Sequence, residues 1–392
     1  MKILHVVRGL ANSSGTTHIV IPLAEEQAKL GHDVSVFHVQ KPGEASLSPD
    51  PRLVTSCLFP MEVPTRHLGF SSSFTRAMRR RAAEFDVIHI HAVWNFVTFW
   101  AMWCARQACV PYVVAPQGSC DRFAWRFGSP LRRLYARCFE VPLLKRATRI
   151  QALTETEEEQ VKALGIKAPC AVIPNGVRMG WFERQGEVVR LWQQLGLPAG
   201  ERTLLFLGRL HPKKGLDILA QAFGRLIEQV SDVTLVIAGD DAGSGYRADV
   251  QQMIRTAGAG EKVRFLGEVR GDEKYRTFLG ADAFVLPSYS EGLPVAVVEA
   301  MGAGLPVVIT WNCNLPEVQE HGAGKVVEAE PGAFSRALET LLSEPHALEE
   351  CGSNGAELVR SRFTWRKIAL STERLYLNLS EADARCNGKQ RV

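Results

Sequence analysis

The sequence predicts an α/β chain with two doubly wound parallel sheets, one in each half. Three observations lead there. Short apolar runs alternate with helix-patterned segments along both halves, and that alternation builds parallel sheets through right-handed crossovers. A chain of 392 residues is the size of two ordinary domains. Near the middle, the turn Pro174-Asn175-Gly176 follows an apolar run, where it can end one sheet and leave a hinge before the next. The two lobes are expected to face a cleft, the first over residues 1–178 and the second over 179–361.

In the first half, the apolar runs Lys2 to Val7, Val34 to Val39, Val87 to His89, Tyr112 to Ala115, Ile150 to Ala152 and Ala171 to Ile173 read as strands. Helical spacing lies between them at Ile19 to Leu30 and Phe96 to Ala108. In the second half, Leu204 to Leu207, Leu235 to Ala238, Val263 to Leu266, Ala283 to Leu286 and Val307 to Ile309 read the same way. The closing dozen residues, EADARCNGKQRV, read as a frayed tail.

Composition agrees with a globular enzyme: 46% of residues are hydrophobic and 22% charged. No run of apolar residues is long enough to span a bilayer, and MKILHVV is too short for a signal peptide. A cytoplasmic protein is expected, with peripheral attachment to the inner face of the plasma membrane as its nearest variant. The nine cysteines include no C-x2-C pair and are expected as reduced thiols.

The most informative stretch is SYSEGLPVAVVEAMGAGLPVV. It places Glu291 in a loop after an apolar strand and Glu299 inside an otherwise apolar helix. A carboxylate in such a helix requires a partner. Pro294 fits the first helical position, leaving the N–H groups of Val295, Ala296 and Val297 to meet an anion such as phosphate. Carboxylates accept hydrogen bonds from sugar hydroxyls, so phosphate donors flanked by two acids suit a sugar nucleotide. The competing reading makes Glu291 a helix cap and Glu299 the answer to a buried basic residue.

A second stretch, TLLFLGRLHPKKGLDILAQAF, reads as a strand broken by Gly208, then a loop, then an amphipathic helix after Gly215. Arg209 and Lys214 then leave the carboxyl end of a strand, where ligands bind in open α/β sheets. A guanidinium and an ammonium together neutralise a diphosphate. The plainer alternative is a solvated basic turn.

The pair GRLHPKKG and EGLPVAVVE resembles glycosyltransferase family 4, the retaining enzymes of GT-B fold with an E-x7-E acid pair. The similarity extends through SSGTTHIV, DVIHIHAVWN, PYVVAPQGS, VIPNGV and FTWRKIA. It implies two Rossmann-like lobes, with a C-terminal helix at about 362–392 crossing back onto the first. It further implies that Arg209 and Lys214 contact the donor diphosphate, Glu291 the donor sugar and Glu299 the ribose. Glu291, Arg209 and Lys214 are then the catalytic set, and Gly208, Gly292, Leu293, Pro294 and Val295 line the donor. The implied reaction is hexose transfer from a UDP- or GDP-sugar to a glycan or polyprenyl-diphosphate-linked glycan, in bacterial surface polysaccharide synthesis such as that of lipopolysaccharide or exopolysaccharide. Front-face attack with retention is the implied course. With no D-x-D pair in the sequence, no metal or other cofactor is expected. Alternatives are a GT-B nucleotide-sugar epimerase and a binding protein built on an inactive transferase.

Charge divides unevenly: residues 1–178 with 360–392 carry +13, and the remainder −9. Arg122, Arg126, Arg132, Arg133, Arg137, Lys145, Arg146 and Arg149 alternate with Phe123, Trp125, Phe127, Tyr135 and Phe139, and Arg76, Arg79, Arg80 and Arg81 form a second cluster. Basic residues among aromatic anchors suit an anionic membrane surface, with another polyanion as the alternative. No nucleic-acid-binding motif, P-loop or dinucleotide fingerprint is present. On the acceptor side, the candidates are Gly15 for close backbone approach, His91 at a strand end, Asn95, and Gln117. Many relatives carry His where this chain has Gln117, and an amide cannot carry a proton at neutral pH.

Overall fold

The computed structural model describes residues 1–11, 15–43, 45–62, 69–121, 130–181 and 201–387. They divide into two compact units, Met1–Gly176 with Trp365–Val392, and Val177–Thr364. The chain thus passes between units after residues 176 and 364, rather than after 178 and 361.

The first unit holds seven strands: β1 (Lys2–Val7), β2 (Asp33–Gln40), β3 (Val54–Pro60), β4 (Val87–His91), β5 (Tyr112–Ala115), β6 (Arg149–Ala152) and β7 (Cys170–Val172). They are ordered β3-β2-β1-β4-β5-β6-β7, with parallel pairing throughout. Both faces are covered. Leu4, Val6, Ile88 and Ile90 enter one core cluster, while Ile3, Val7, Val87 and Val113 enter the other. That two-sided burial is why these strands read as continuous apolar runs. β3 lacks the signature because only Val54 in it is buried.

The second unit holds β8 (Arg202–Leu207), β9 (Val233–Ala238), β10 (Val263–Gly267), β11 (Ala283–Leu286), β12 (Val307–Thr310) and β13 (Gly324–Val327). Their order is β10-β9-β8-β11-β12-β13, again parallel. The winding reverses between β8 and β11, so the carboxyl ends of those two strands flank the crevice where such sheets bind ligands.

The C-terminal helix, Trp365–Asn387, returns to the first unit and buries Trp365, Ile368, Ala369, Tyr376 and Leu379 in its core. It starts at Trp365 rather than near 362 because Val359–Phe363 is a π-type turn and Thr364 is extended. It also runs through residues 381–387, which the sequence suggested as frayed, since no glycine or proline interrupts EADARC. Gly176 is required by close approach: a Cβ there would lie 2.7 Å from the Trp365 ring. Among the described residues no helix is long and apolar enough to cross a membrane.

Candidate functional site

At the end of β8 the chain turns through Gly208, whose N–H donates to the Ala238 carbonyl at 3.0 Å. Arg209 follows, exposed, with no hydrogen-bond or ion-pair partner among the described residues. The turn Pro212–Lys214 is closed by Gly215 at φ 67°. A Cβ on Gly215 would sit 2.0 Å from the Pro287 carbonyl oxygen, so glycine alone lets the β8 and β11 loops meet there. The Tyr289 N–H then donates to the Lys213 carbonyl at 2.9 Å.

This junction brings Lys214 and Glu291 together, Nζ to Oε1, at 2.7 Å, with side chains 20% and 11% exposed. The Ser288 hydroxyl donates to the same Oε1 at 2.6 Å, leaving Oε2 without a donor among the described residues. The backbone of Glu291 is fixed as well: its N–H donates to the Asn312 carbonyl at 2.9 Å and its carbonyl accepts from Asn314 Nδ2 at 2.6 Å. His211, beside them, is held below its ordinary pKa first by burial and then by Arg209, Lys213 and Lys214. A neutral imidazole among three cations marks a positive potential suited to a polyanion.

The helix after this loop is Val295–Gly302. Pro294 occupies its N-cap rather than the expected first helical position, and the Val297 N–H is taken by the Pro294 carbonyl at 2.9 Å. The donors left at the helix start are therefore those of Val295 and Ala296. Gly292 and Leu293 complete the loop, with Leu293 buried. Glu299 has the partner its setting demands: Lys274, in the helix Gly271–Leu279, reaches it at 2.6 Å. The Glu299 side chain is 14% exposed, so the helix is not enclosed all round as its apolar sequence implied. Arg209, Lys214 and Glu291 thus lie on the loops after β8 and β11, while Glu299 lies in the second turn of the helix.

In the first unit, polar residues at the strand ends serve the fold. Ala92, Trp94 and Gln117 take φ of 63°, 67° and 56°, a left-handed conformation costly for side-chain-bearing residues. They follow the adjacent strands β4 and β5. Two buried carboxylates hold this backbone. Glu140 accepts from the Trp94 N–H at 2.7 Å, and Glu157 from the N–H of Gly118 at 2.5 Å and of Leu153 at 2.7 Å. Burial pushes the Glu140 carboxyl up to about 8 and raises that of Glu157. The Trp94 indole donates to the Ser119 carbonyl at 2.8 Å, joining the two loops.

Gln117 accepts from Asn175 Nδ2 at 2.9 Å, while its own Nε2 is buried without a partner. Asn95 caps the helix Phe96–Gln107, accepting from the Thr98 N–H at 3.1 Å, and is buried. His91 was expected to approach a ligand from its strand end, but its ring is enclosed. It meets His5 Nδ1 at 2.8 Å, and His5 meets Gln27 at 2.7 Å. His89 meets the Tyr376 hydroxyl at 2.6 Å. Ring nitrogens of His5, His89 and His91 lie within 4.8 Å of one another. Hydrogen bonds engage four of the six ring nitrogens, and Nε2 of His89 and Nδ1 of His91 have no partner among the described residues. Gly15 is exposed, with open space around its α-carbon.

No local pattern marks Lys274, Glu140 or His5 as partners. Glu157 had a signal, the T-x-x-E pattern from Thr154, which caps the helix Glu155–Ala163.

Of the basic and aromatic residues, Arg133, Arg137 and Phe139 are exposed, as are Arg76, Arg79 and Arg80, and Leu131 and Leu134 add exposed apolar surface. Arg79 lies 5.9 Å from the Trp103 ring. Arg122, Phe123, Trp125, Arg126 and Phe127 lie outside the described residues, as does the Arg132 side chain.

The chain matches the family described as glycosyl transferases group 1 over residues 190–358, and the glycosyl transferase 4-like domain over 14–176. It is 30% identical over 378 residues to the phosphatidyl-myo-inositol mannosyltransferase of Mycobacterium leprae, covering 92% of each chain. It is 27% identical over 397 residues to D-inositol 3-phosphate glycosyltransferase 2 of Catenulispora acidiphila, covering 94% of this chain and 91% of that one. Among solved structures, it is similar to sucrose-phosphate synthase from Thermosynechococcus elongatus, with TM-score 0.78, 22% identity and coverage of 97% and 100%. It is likewise similar to Anabaena Alr3699/HepE in complex with UDP and glucose, with TM-score 0.76, 21% identity and coverage of 96% and 100%.

Proposed function

From the premise that the chain belongs to the group 1, family 4 glycosyltransferases of GT-B fold, we propose that it is a retaining, metal-independent hexosyltransferase using a UDP- or GDP-sugar. The observation that carries this reading is the Lys214–Glu291 pair at the carboxyl ends of β8 and β11, beside the unpaired Arg209. Lys214 and Arg209 take the donor diphosphate, together with the N–H groups of Val295 and Ala296. Glu291 orients the sugar hydroxyls and Glu299 the ribose. Gly208, Gly292, Leu293 and Pro294 let the backbone lie close to the donor.

As the C1–O bond to the diphosphate breaks, positive charge grows on the sugar and negative charge on the leaving phosphate. Arg209 and Lys214 stabilise that anion more than the ground state, which accelerates the reaction. The acceptor oxygen forms its bond to C1 on the face being vacated, and the departing phosphate oxygen takes its proton. Neither carboxylate is asked to be a nucleophile.

The acceptor belongs with the first unit, near Gly15 and Gln117, with Asn95 and His91 supporting from behind. A lipid-linked glycan of a bacterial surface polysaccharide suits its basic, aromatic surface. The Mycobacterium leprae relative is named for a phosphatidyl-inositol acceptor, and the Anabaena structure holds UDP and glucose; both support this pairing of donor and acceptor. Exchanging Arg133 and Arg137 for alanine should lower binding to phosphatidylglycerol vesicles, at roughly 1 kcal/mol per basic residue, and leave nucleotide binding alone.

The test is a thermal-shift panel of UDP, GDP, ADP and their sugar conjugates, first without metal and then with Mg2+. Stabilisation by one diphosphate, unchanged by Mg2+, is expected. Silence across the panel, or a response only with Mg2+, contradicts the reading.

A further inference from the structure

We propose that Trp311 is the sugar-stacking wall of the donor site, with the transferred pyranose lying against its indole while Glu291 holds the hydroxyl edge. Among the described residues of Val177–Thr364, the exposed large hydrophobic side chains are Tyr289, at 43%, and Trp311, at 44%. Isolated exposed hydrophobics are ordinary on protein surfaces. These two are not scattered: they follow β11 and β12, adjacent parallel strands, Tyr289 in the loop that carries Glu291 and Trp311 in the neighbouring loop that holds its backbone.

The fold accounts for one of them. Tyr289 donates its hydroxyl to Asp217 Oδ2 at 2.7 Å, which anchors its ring over the β8 side of the site. The Trp311 side chain has no hydrogen-bond or ring partner among the described residues. Nearly half of its surface is open to water and its indole N–H has no acceptor among the described residues, although each is ordinarily used.

The backbone beneath Trp311 is nonetheless fixed. Trp311–Cys313 is a single 3-10 turn, closed by the Asn314 N–H donating to the Trp311 carbonyl at 3.0 Å. Thr310 donates to the Ser288 carbonyl at 2.6 Å, and the Cys313 thiol, wholly buried, lies 3.5 Å from the Leu286 carbonyl. Asn312 and Asn314 then grip the backbone of Glu291 on both sides, at 2.9 and 2.6 Å. The indole therefore rises from a loop tied to the acid itself, and little ordering remains to be done when a ligand arrives.

A pyranose has the matching chemistry. One face presents C–H groups of slight positive charge, which suit the negative face of an indole ring, and the rim presents hydroxyls, which suit a carboxylate. The wall and Glu291 are thus complementary halves of one recognition element. The inference rests on the reading of Glu291 as the donor-sugar acid.

The test compares UDP with UDP-glucose, and GDP with GDP-mannose, by calorimetry on the full chain and on Trp311→Ala and Trp311→Phe. In Trp311→Ala, affinity for the sugar conjugate should fall about five- to tenfold while the bare diphosphate stays within about twofold. Trp311→Phe should recover most of the loss. Conjugate affinity unchanged in Trp311→Ala, or an equal loss for diphosphate and conjugate, overturns the inference and leaves the nucleotide site standing. Failure of the unaltered protein to bind any diphosphate overturns the donor-site reading, and this inference with it.

Discussion

In the unit Val177–Thr364 the strand-end loops keep charged side chains at their ends: Arg209 is exposed, and Lys214 and Glu291 form a mostly buried pair that retains 20% and 11% exposure. In the unit Met1–Gly176 the corresponding loops turn charge inward, where Glu140 and Glu157 spend their carboxylates on backbone N–H groups. The backbones differ in the same sense. The difference is one of degree: the second unit turns mainly on glycine, at Gly215, Gly239 and Gly267, with Ala242 and Asn314 also left-handed, whereas the first puts Ala92, Trp94 and Gln117, beside Gly118, in left-handed conformations. Glycine adopts such turns cheaply; other residues must be held there. Two sheets of one architecture therefore use their carboxyl edges differently. In one, the side chains are free for a ligand; in the other, buried acids maintain a strained platform.

The largest expected effect breaks the platform. Glu157→Ala strands the N–H groups of Gly118 and Leu153 in a buried setting and should cost about 3 kcal/mol in chemical denaturation. Lys214→Ala leaves a mostly buried Glu291 that keeps the Ser288 hydroxyl, so it should cost less, about 1–2 kcal/mol of stability. Equal costs would erase the distinction between the two edges.

Acid should expose the first unit next. His5 is held at about 4 against 6.5, chiefly by burial, and burial also lowers His89 and His91. The unfolded chain binds the proton first, so their stability is complete above pH 6.5 and is lost as pH falls from 6.5 toward 4, by about 3 kcal/mol for His5 alone. Glu140 acts with the opposite sign. Its carboxyl rises from 4.5 to about 8, so its contribution is complete below pH 4.5 and is lost as pH climbs toward 8. The windows overlap below pH 6.5, where three histidines outweigh one carboxyl, so melting temperature should peak near pH 6.5, and Glu140→Gln should flatten the alkaline limb. A smaller effect belongs to Asn95→Ala, which removes a helix cap worth about 1 kcal/mol; thermal melts would read it, with nucleotide affinity unchanged.

These acids and histidines also mark where sequence reading stopped. Central strands such as β1, β5 and β11 were legible because burial on both faces makes an unbroken apolar run. β3, mostly exposed, and β13, four residues long, lie at sheet edges and carry no such run. Arg209, Lys214 and Glu291 were legible because glycine and proline punctuate their loops. Glu299 announced the need for a partner, but Lys274 belongs to an amphipathic helix whose pattern gives no hint of it. Glu157 is marked by T-x-x-E as a helix-start acid, but TETEEEQ does not show that it serves Gly118 and Leu153, and Glu140 stands among basic residues. His5 meets His91 only through the parallel pairing of β1 with β4, which no local pattern encodes.

The central claim is that the open edge of the second unit binds the donor diphosphate. Calorimetric titration of UDP and GDP into the unaltered protein and into Lys214→Ala tests it most directly. The account predicts a loss of about tenfold or more in affinity for whichever diphosphate binds, with folding intact. Unchanged affinity in Lys214→Ala would contradict it, since a diphosphate held there cannot be indifferent to the ammonium.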